Sequence, residues 1–327
     1  MEIKKIAVCD HVIKPFFGER HLQRIRETVP QAEVIYAKNM KELLAQTNDA
    51  DVLIAMPFVT PELLNFCKNA PSLKWFHSLI TGVDELMGSD IARLNIKISA
   101  TRGIHRFSVG DHVLAFIFGF LRALPASIQA QMRHEYSVKI YSMCDDSYNK
   151  TVGIIGLGNI GMHIAKRCKL LEMRVLGLKR TPIQSEWLDT CYGPEGLDEL
   201  LKESDFVVLT VPLTPETKDM IGEREFGLMK KTAYLINVAR GAVVNEEALI
   251  KAMREGMIAG AGLDAFVQEP LPADSPLWDL PNVVITPHSG GQTPYYMDRA
   301  MEIITENLVR FLKDEELLYE VSRERGY

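Results

Sequence analysis

Residues Thr151–Leu178 read TVGIIGLGNIGMHIAKRCKLLEMRVLGL, and the order of features in this stretch decides the fold. Thr151–Ile155 is a short run suited to a strand, and Gly156-Leu157-Gly158-Asn159-Ile160-Gly161 follows as a glycine turn. Met162–Leu171 then has helical spacing, and a second apolar run closes at Leu178. Strand, turn, helix and strand within about thirty residues make one βαβ unit. A lone G-x-G-x-x-G is a weak signal, but between a strand and a helix it predicts a dinucleotide site. Gly156 allows the tight turn, Gly158 lets the backbone approach a pyrophosphate, and Gly161 permits close helix–strand packing. The helix start, at Asn159 and Ile160, offers N–H groups and a partial positive charge to the phosphates.

The end of the second strand bears on which dinucleotide fits. A site for NAD places an acid about twenty residues beyond the glycine turn, where it binds the ribose hydroxyls. Here the strand ends Leu178-Lys179-Arg180-Thr181, with no acid between Met173 and Ile183. An acid would repel a 2′-phosphate. Arg180 can pair with one through its planar fork, Lys179 adds charge, and Thr181 adds a hydroxyl. The expected preference is NADP(H), with NAD(H) also accepted if this segment is only a solvated basic turn.

Working outward, the same alternation covers the rest of the chain. Strands are expected at Ile3–Val8, Glu33–Tyr36, Asp51–Ala55, Leu73–Ser78 and Ile96–Ser99, with helices at His21–Val29, around Met40–Gln46 and after Thr60-Pro61. Pro61 behind Thr60 is an N-cap and first-turn signal. Beyond the glycine turn, strand-like runs fall at Asp205–Thr210, Ala233–Val238, Gly260–Asp264 and Val283–Thr286. Apolar Val109–Leu124 and amphipathic Tyr295–Leu312 read as long crossover helices. Repeated βα alternation implies parallel sheets covered by helices. The expected class is α/β, with two doubly wound parallel-sheet domains: a Rossmann domain over 101–294 and a flavodoxin-like domain over 1–100 plus 295–327. An interdomain cleft would be the expected place for ligands.

Composition sets limits on partners. Hydrophobic residues at 47% and charged ones at 24% are ordinary for a globular chain and argue against disorder. A net charge of −6 gives no electrostatic reason to expect nucleic acid or an anionic membrane surface. Val113–Leu121, the longest strongly apolar stretch, is far short of the ~20 residues of a membrane span. No secretory leader is visible in MEIKKIAVCD. The five cysteines are scattered without a C-x-x-C pair, so free thiols, no metal site and a cytoplasmic setting are expected.

Three polar residues fall just beyond strand ends, where doubly wound sheets put their chemistry. Arg240 follows Ala233–Val238, Glu269 follows Gly260–Asp264, and His288 follows Val283–Thr286. Beside a nicotinamide, this set suits reduction of a 2-keto acid. A guanidinium binds the carboxylate and polarises the carbonyl, and an imidazolium delivers a proton. A carboxylate on the other ring nitrogen would fix the tautomer and favour the charged form.

From Thr151 to Gly291 most strongly, the chain resembles the D-isomer-specific 2-hydroxyacid dehydrogenases. The resemblance is carried by GLGNIG, VPLTPET (Val211–Thr217), INVARGAVVNEEAL (Ile236–Leu249), AGLDAFVQEPLP (Ala261–Pro272) and SPLWDLPNVVITPHSGG (Ser275–Gly291). It implies Arg240 as substrate binder, Glu269 as the partner of His288, and His288 as proton donor and acceptor. It also implies cofactor contacts from Val211, Pro212, Val238, Ala239, Asp264 and Gly290, with Asp264 near the nicotinamide carboxamide. The turn at Thr81-Gly82-Val83-Asp84 resembles the family's substrate-carboxylate turn, which adds Thr81 and Gly82. A homodimer through the cofactor domain and the arm after its first helix is implied as well. Three departures stand out. Ala100 replaces the usual Asn or Thr, Val109-Gly110-Asp111-His112 replaces Val-Ala-Glu-His, and no Gly-x-Trp is recognisable within Arg133–Ser147.

The remaining candidates have duller readings. His163 reads as a surface or packing residue, His112 as a hydrogen-bonded packing residue, and His77 as peripheral to the cleft. Phe58, Trp278, Tyr295 and Tyr296 fit either a substrate pocket or the core. Within the family, glyoxylate or hydroxypyruvate are candidate acids. Phosphoglycerate would call for extra cations, and Pro287 before His288 argues against formate. The rival outside enzymology is a dinucleotide-sensing interaction protein on the same fold; the intact Arg, Glu and His set argues against it.

Overall fold

A computed structural model of the protein describes residues 2–10 and 17–323; residue 1 and residues 11–16 and 324–327, parts of the ranges expected for the first domain, lie outside that description. The chain divides into two compact units, Met1–Ile104 with Thr293–Tyr327, and His105–Gln292.

In the first unit, β1 (Lys5–Cys9), α1 (Glu19–Thr28), β2 (Glu33–Ala37), α2 (Met40–Gln46), β3 (Val52–Ala55), α3 (Pro61–Asn69), β4 (Trp75–Ser78), α4 (Asp84–Met87) and β5 (Lys97–Ala100) follow in order. The strands form one parallel sheet, ordered β2-β1-β3-β4-β5. Side chains alternate between two covered faces. Ile6, Val8, Val52, Ile54 and Trp75 enter one core, while Ala7, Cys9, Leu53, Ala55 and Phe76 enter the other. The start of α3 is as expected, with Thr60 Oγ1 accepting from the Leu63 amide at 3.2 Å and Pro61 in the first turn.

The second unit opens with α5 (Arg106–Leu121) and α6 (Leu124–Met132), then β6 (Thr151–Ile155), α7 (Asn159–Leu170), β7 (Arg174–Leu178), β8 (Thr190–Tyr192), α8 (Leu197–Glu203), β9 (Phe206–Leu209), α9 (Glu223–Leu228), β10 (Tyr234–Asn237), α10 (Glu246–Glu255), β11 (Gly260–Leu263) and β12 (Val283–Ile285). Its parallel sheet is ordered β12-β11-β10-β9-β6-β7-β8, so the winding reverses between β6 and β9. Among the described residues no single helix is long and apolar enough to cross a membrane. Apolar α5 instead packs Val109, Val113, Phe116, Ile117 and Phe120 into the core it shares with β6 and β9. After this unit the chain returns to the first as α11 (Tyr296–Leu312). There Trp75 stacks on Phe311, with ring centroids 5.4 Å apart.

The structure departs from the sequence reading in three places. The edge strand β8 was not expected. The long apolar helix starts at Arg106 rather than Val109 and breaks at Ala123, which has φ of 50°, before α6 leaves at 68°. His77 is not peripheral to anything open: it is fully buried. Its ring lies between Ser99 Oγ at 2.7 Å and Thr101 Oγ1 at 3.1 Å, and burial pushes its pKa down to about 3. It is a neutral core histidine.

Candidate active site

Binding crevices in such sheets lie outside the strand ends where the winding reverses. In the second unit that place is the gap between the ends of β6 and β9, and the glycine turn stands there. Gly156 has φ of +102°, and a Cβ on it would come within 2.9 Å of the Val211 amide nitrogen, so only glycine fits. A Cβ on Gly161 would sit 2.0 Å from the Gly156 carbonyl oxygen, which is why α7 can start so close to β6. Thr210, at the end of β9, donates to that same carbonyl at 2.6 Å and pins the turn from the other side. The Cβ position of Gly158 is open, with nothing within 4 Å, and no side chain caps the first turn of α7. These residues fit a pyrophosphate, which needs bare backbone and unpaired helix N–H groups.

Lys179, Arg180 and Thr181 follow β7, with Lys179 half-buried and the other two exposed. The Lys179 amide donates to the Tyr192 carbonyl of β8 at 3.0 Å, so the unexpected strand supports the basic segment. The Arg180 charge also reaches Glu216, on the loop after β9. The hydrogen bond from Thr214 contributes most to holding the Glu216 carboxyl below the usual range, and Arg180 adds to it. The basic segment thus stands at the same end of the sheet as the glycine turn. Val211 and Pro212 follow β9, and Val238 and Ala239 follow β10, along that end as well.

Arg240, Glu269 and His288 meet at this edge. His288 Nδ1 lies 2.8 Å from Glu269 Oε2, and Glu269 Oε1 accepts from the Phe266 amide at 2.9 Å. A carboxylate only accepts, so Nδ1 carries the proton toward Glu269 and the Glu269 bond does not occupy Nε2. The Glu269 hydrogen bond raises the His288 pKa above the ordinary imidazole value; burial and the Arg240 charge oppose it, while the Glu269 and Asp264 charges add to it. Burial works to raise the Glu269 carboxyl, but the His288 and Phe266 hydrogen bonds, with the His288 and Arg240 charges, hold it below the usual range. The Arg240 guanidinium, half-buried, donates to the Ala239 carbonyl at 2.8 Å and its charge is felt by both partners.

Backbone detail explains why distant segments converge. Asn237, buried at the end of β10, accepts from the Ala239 amide and donates to the Arg240 carbonyl, both at 3.0 Å, and so closes the turn that carries Arg240. Gly241 then rests directly on the Phe266–Val267 peptide, where a Cβ would fall 1.8 Å from the Phe266 carbonyl carbon. That contact brings the Arg240 turn against the Glu269 loop. His288 itself has φ of 51°, a left-handed conformation uncommon for a residue with a side chain. Asp264 anchors its loop, accepting from the Ser289 amide at 2.8 Å and the Gly290 amide at 2.9 Å. Burial works to raise the Asp264 carboxyl. Hydrogen bonds from His112, Thr286, Gly290 and Ser289 outweigh it and leave the group below the ordinary carboxylate value.

Sequence reasoning did not single out Asn237, Thr210 or Thr286. For Asn237 a signal existed, because a short amide side chain at a strand end commonly bonds its own turn. Thr81 and Gly82 lie in the first unit, after β4, where Thr81 Oγ1 donates to the Thr101 carbonyl at 2.7 Å. Of the aromatic candidates, Tyr296 is buried and donates its hydroxyl to the Leu79 carbonyl, a core role. Phe58, Trp278 and Tyr295 are exposed.

Comparison with known proteins adds to this geometry. The family model for the NAD-binding domain of D-isomer specific 2-hydroxyacid dehydrogenases matches residues 114–290. A glyoxylate reductase from Thermococcus gammatolerans is 39% identical over 283 residues, covering 84% of this chain and 83% of the relative. A D-isomer specific 2-hydroxyacid dehydrogenase from Xanthobacter autotrophicus, solved with NADPH and MES, superposes with a TM-score of 0.83 at 29% identity, covering 98% of this chain and 99% of that one. The NADPH-dependent glyoxylate/hydroxypyruvate reductase of Sinorhizobium meliloti, solved with NADP and sulfate, does so with a TM-score of 0.83 at 25% identity, covering 99% and 100%.

Proposed function

We infer the chemistry from a premise of kinship: the chain belongs to the D-isomer-specific 2-hydroxyacid dehydrogenases, and it is an NAD(P)-dependent enzyme that reduces the C2 carbonyl of a small 2-keto acid to a D-2-hydroxy acid. The finer reading that we propose is an NADPH-preferring reductase of glyoxylate or hydroxypyruvate, with Arg240, Glu269 and His288 as its catalytic residues. The observation that carries it is the His288–Glu269 pair at 2.8 Å within the field of Arg240.

The dinucleotide, when bound, supplies the hydride that arrives at C2. Gly156, Gly158 and Gly161, with Asn159 and Ile160 at the start of α7, would hold its pyrophosphate. Val211, Pro212, Val238, Ala239, Asp264 and Gly290 would border the rest. Arg180, with Lys179 and Thr181, would hold a 2′-phosphate. Arg240 binds the substrate carboxylate and draws charge toward the carbonyl oxygen. Glu269 fixes the His288 tautomer and favours its charged form, and His288 gives the Nε2 proton to the oxygen as C2 gains its hydrogen. The ring then takes a proton back from water, and the bookkeeping of charge closes.

The exposed apolar side chains of α6 and the segment after it support a homodimer through this arm. All five cysteines are free, and burial pushes the Cys9, Cys67 and Cys168 thiols up to about 12, which suits a reducing cytoplasm. The test is turnover of a panel of 2-keto acids with NADPH and NADH in parallel. Reduction of glyoxylate or hydroxypyruvate, faster with NADPH at limiting concentration, is expected. Dinucleotide binding without turnover of any acid would overturn the reading.

A further inference from the structure

The loop that carries His288 is braced by one face of α5. Ser108 and His112, four residues apart on α5, share a face, and His105 stands at the cap just before the helix. His112 Nε2 lies 2.9 Å from Thr286 Oγ1, just before the loop. The Thr286 hydroxyl donates to Asp264 Oδ1 at 2.6 Å, because the carboxylate can only accept. Its lone pair therefore faces His112, and His112 Nε2 is the donor. Asp264 passes the restraint on, taking the amides of Ser289 and Gly290 on the far side of His288. A side chain at Gly290 would run into Asp264 Oδ2 at 2.8 Å and His112 Cδ2 at 3.2 Å, so the bare backbone lets all three close up. Beyond it, the Gly291 carbonyl stands 3.3 Å from both His105 Nδ1 and Ser108 Oγ.

We propose that His112, acting through Thr286 and Asp264, is a positioning residue that holds His288 in its left-handed conformation and so keeps Nδ1 on Glu269. This rests on the reading of His288 as proton donor. The logic is local. A left-handed residue with a side chain needs its flanks fixed on both sides. Here the preceding flank is tied by Thr286 and the following flank by the two amides, and Asp264 Oδ1 is common to both. His112 is itself well held, edge-on to Phe116 at 4.8 Å between ring centroids. The charged groups that act on His288 are Glu269, Asp264 and Arg240; the first two follow β11, the strand next to its own, and Arg240 follows β10, one strand further on. Loosening the loop lets His288 leave Glu269, and the ring loses its strongest support for the protonated state.

The experiment compares His112→Phe and Thr286→Val, which remove the donor and the bridge, with His112→Gln and Thr286→Ser, which keep them. Each full-length variant is assayed with glyoxylate and NADPH for kcat, KM and the pH dependence of kcat, and separately for NADPH affinity and melting temperature. In the first pair kcat should fall about 10- to 100-fold, as for a catalytic group misplaced by about 1 Å. The alkaline limb of the profile should move to lower pH, while the Kd for NADPH stays within about threefold. The conservative pair should recover most of the rate. Wild-type kcat with an unmoved limb would overturn the proposal. So would a loss that tracks NADPH affinity or melting temperature. His288→Ala separates the two levels: if it keeps turnover, the proton-donor reading and this one fail together. If it is inactive while the Phe and Val variants work normally, only the positioning role fails.

Discussion

At the scale of the residue, the proposed mechanism turns on one histidine's protonation. The His288 pKa lies above the ordinary value of about 6.5 chiefly because Glu269 accepts from it. With His288 as the proposed proton donor, reduction would use the imidazolium, so activity is expected to be full below the raised pKa and lost as pH rises through it. Glu269→Gln removes the main raising cause and leaves burial and Arg240, which both lower it, opposed only by the Asp264 charge. The alkaline limb of kcat should therefore move toward acid, with activity above neutral pH reduced about ten- to hundredfold. A pH profile of kcat measures this, and an unmoved limb would refute the pairing as the source of the shift. On the proposed reading a second residue, Arg180, favours NADPH over NADH. Arg180→Glu should weaken NADPH about 10- to 100-fold, the loss of a charge-assisted hydrogen bond, and leave NADH nearly unchanged. Titrating both dinucleotides checks it, and equal losses would reduce Arg180 to a solvated charge. The convergence of Arg240, Glu269 and His288 was legible because each lies in a segment beyond the end of a strand-like run. The Asp264–Thr286–His112 chain was not, because its members are up to 174 positions apart and only folding makes them neighbours. The full burial of His77 was hidden for the same reason, since Ser99 and Thr101 sit on and just beyond the adjacent strand.

At the scale of the element, strands declared themselves where both faces are buried. VLIA and FVVL form β3 and β9 with every residue buried, so their apolar runs are continuous. β8 did not, because TCY is a three-residue edge strand whose residues are all half-buried, with no alternation to read. The start of α5 was hidden likewise, its first turn holding the exposed Arg106 and Phe107. Loops between elements were legible only through their glycines, and Gly241 matters most. Alanine there would drive its Cβ into the Phe266–Val267 peptide, where backbone cannot swing aside as a side chain tip can. The Arg240 turn and the Glu269 loop would have to separate. Gly241→Ala is expected to lower kcat about 100-fold or more and to destabilise the fold by about 1–3 kcal/mol. Initial rates and thermal denaturation test the two parts. Wild-type turnover would show that this backbone contact does not set the site.

At the scale of the whole molecule, the inner strands of each sheet bury both faces, yet among the described residues α6 leaves an apolar side uncovered. On α6 the residues Leu124, Ile128 and Met132 recur every four positions, which places them on one face, and they are 50%, 56% and 78% exposed. Tyr136, Val138, Tyr141 and Met143 continue the exposure along the segment that follows. An ordinary surface helix turns such a stripe inward. Exposed apolar side chains grouped in this way support the proposed contact with a second copy, because a two-fold dimer lets the same patch serve both copies. The protein should therefore sediment at twice the mass of the chain at micromolar concentration. Ile128→Glu with Met132→Glu places charge at the centre of the stripe without touching the strand ends that carry Arg240, Glu269 and His288. Losing anchors in a buried interface costs about 2–4 kcal/mol, so dimer affinity should fall about 30- to 1000-fold. Sedimentation velocity over a concentration series reads the change, with circular dichroism to show that α6 still folds. A wild-type monomer, or a double variant that dimerises as tightly as wild type, would remove the arm from the interface and leave the stripe in need of another partner.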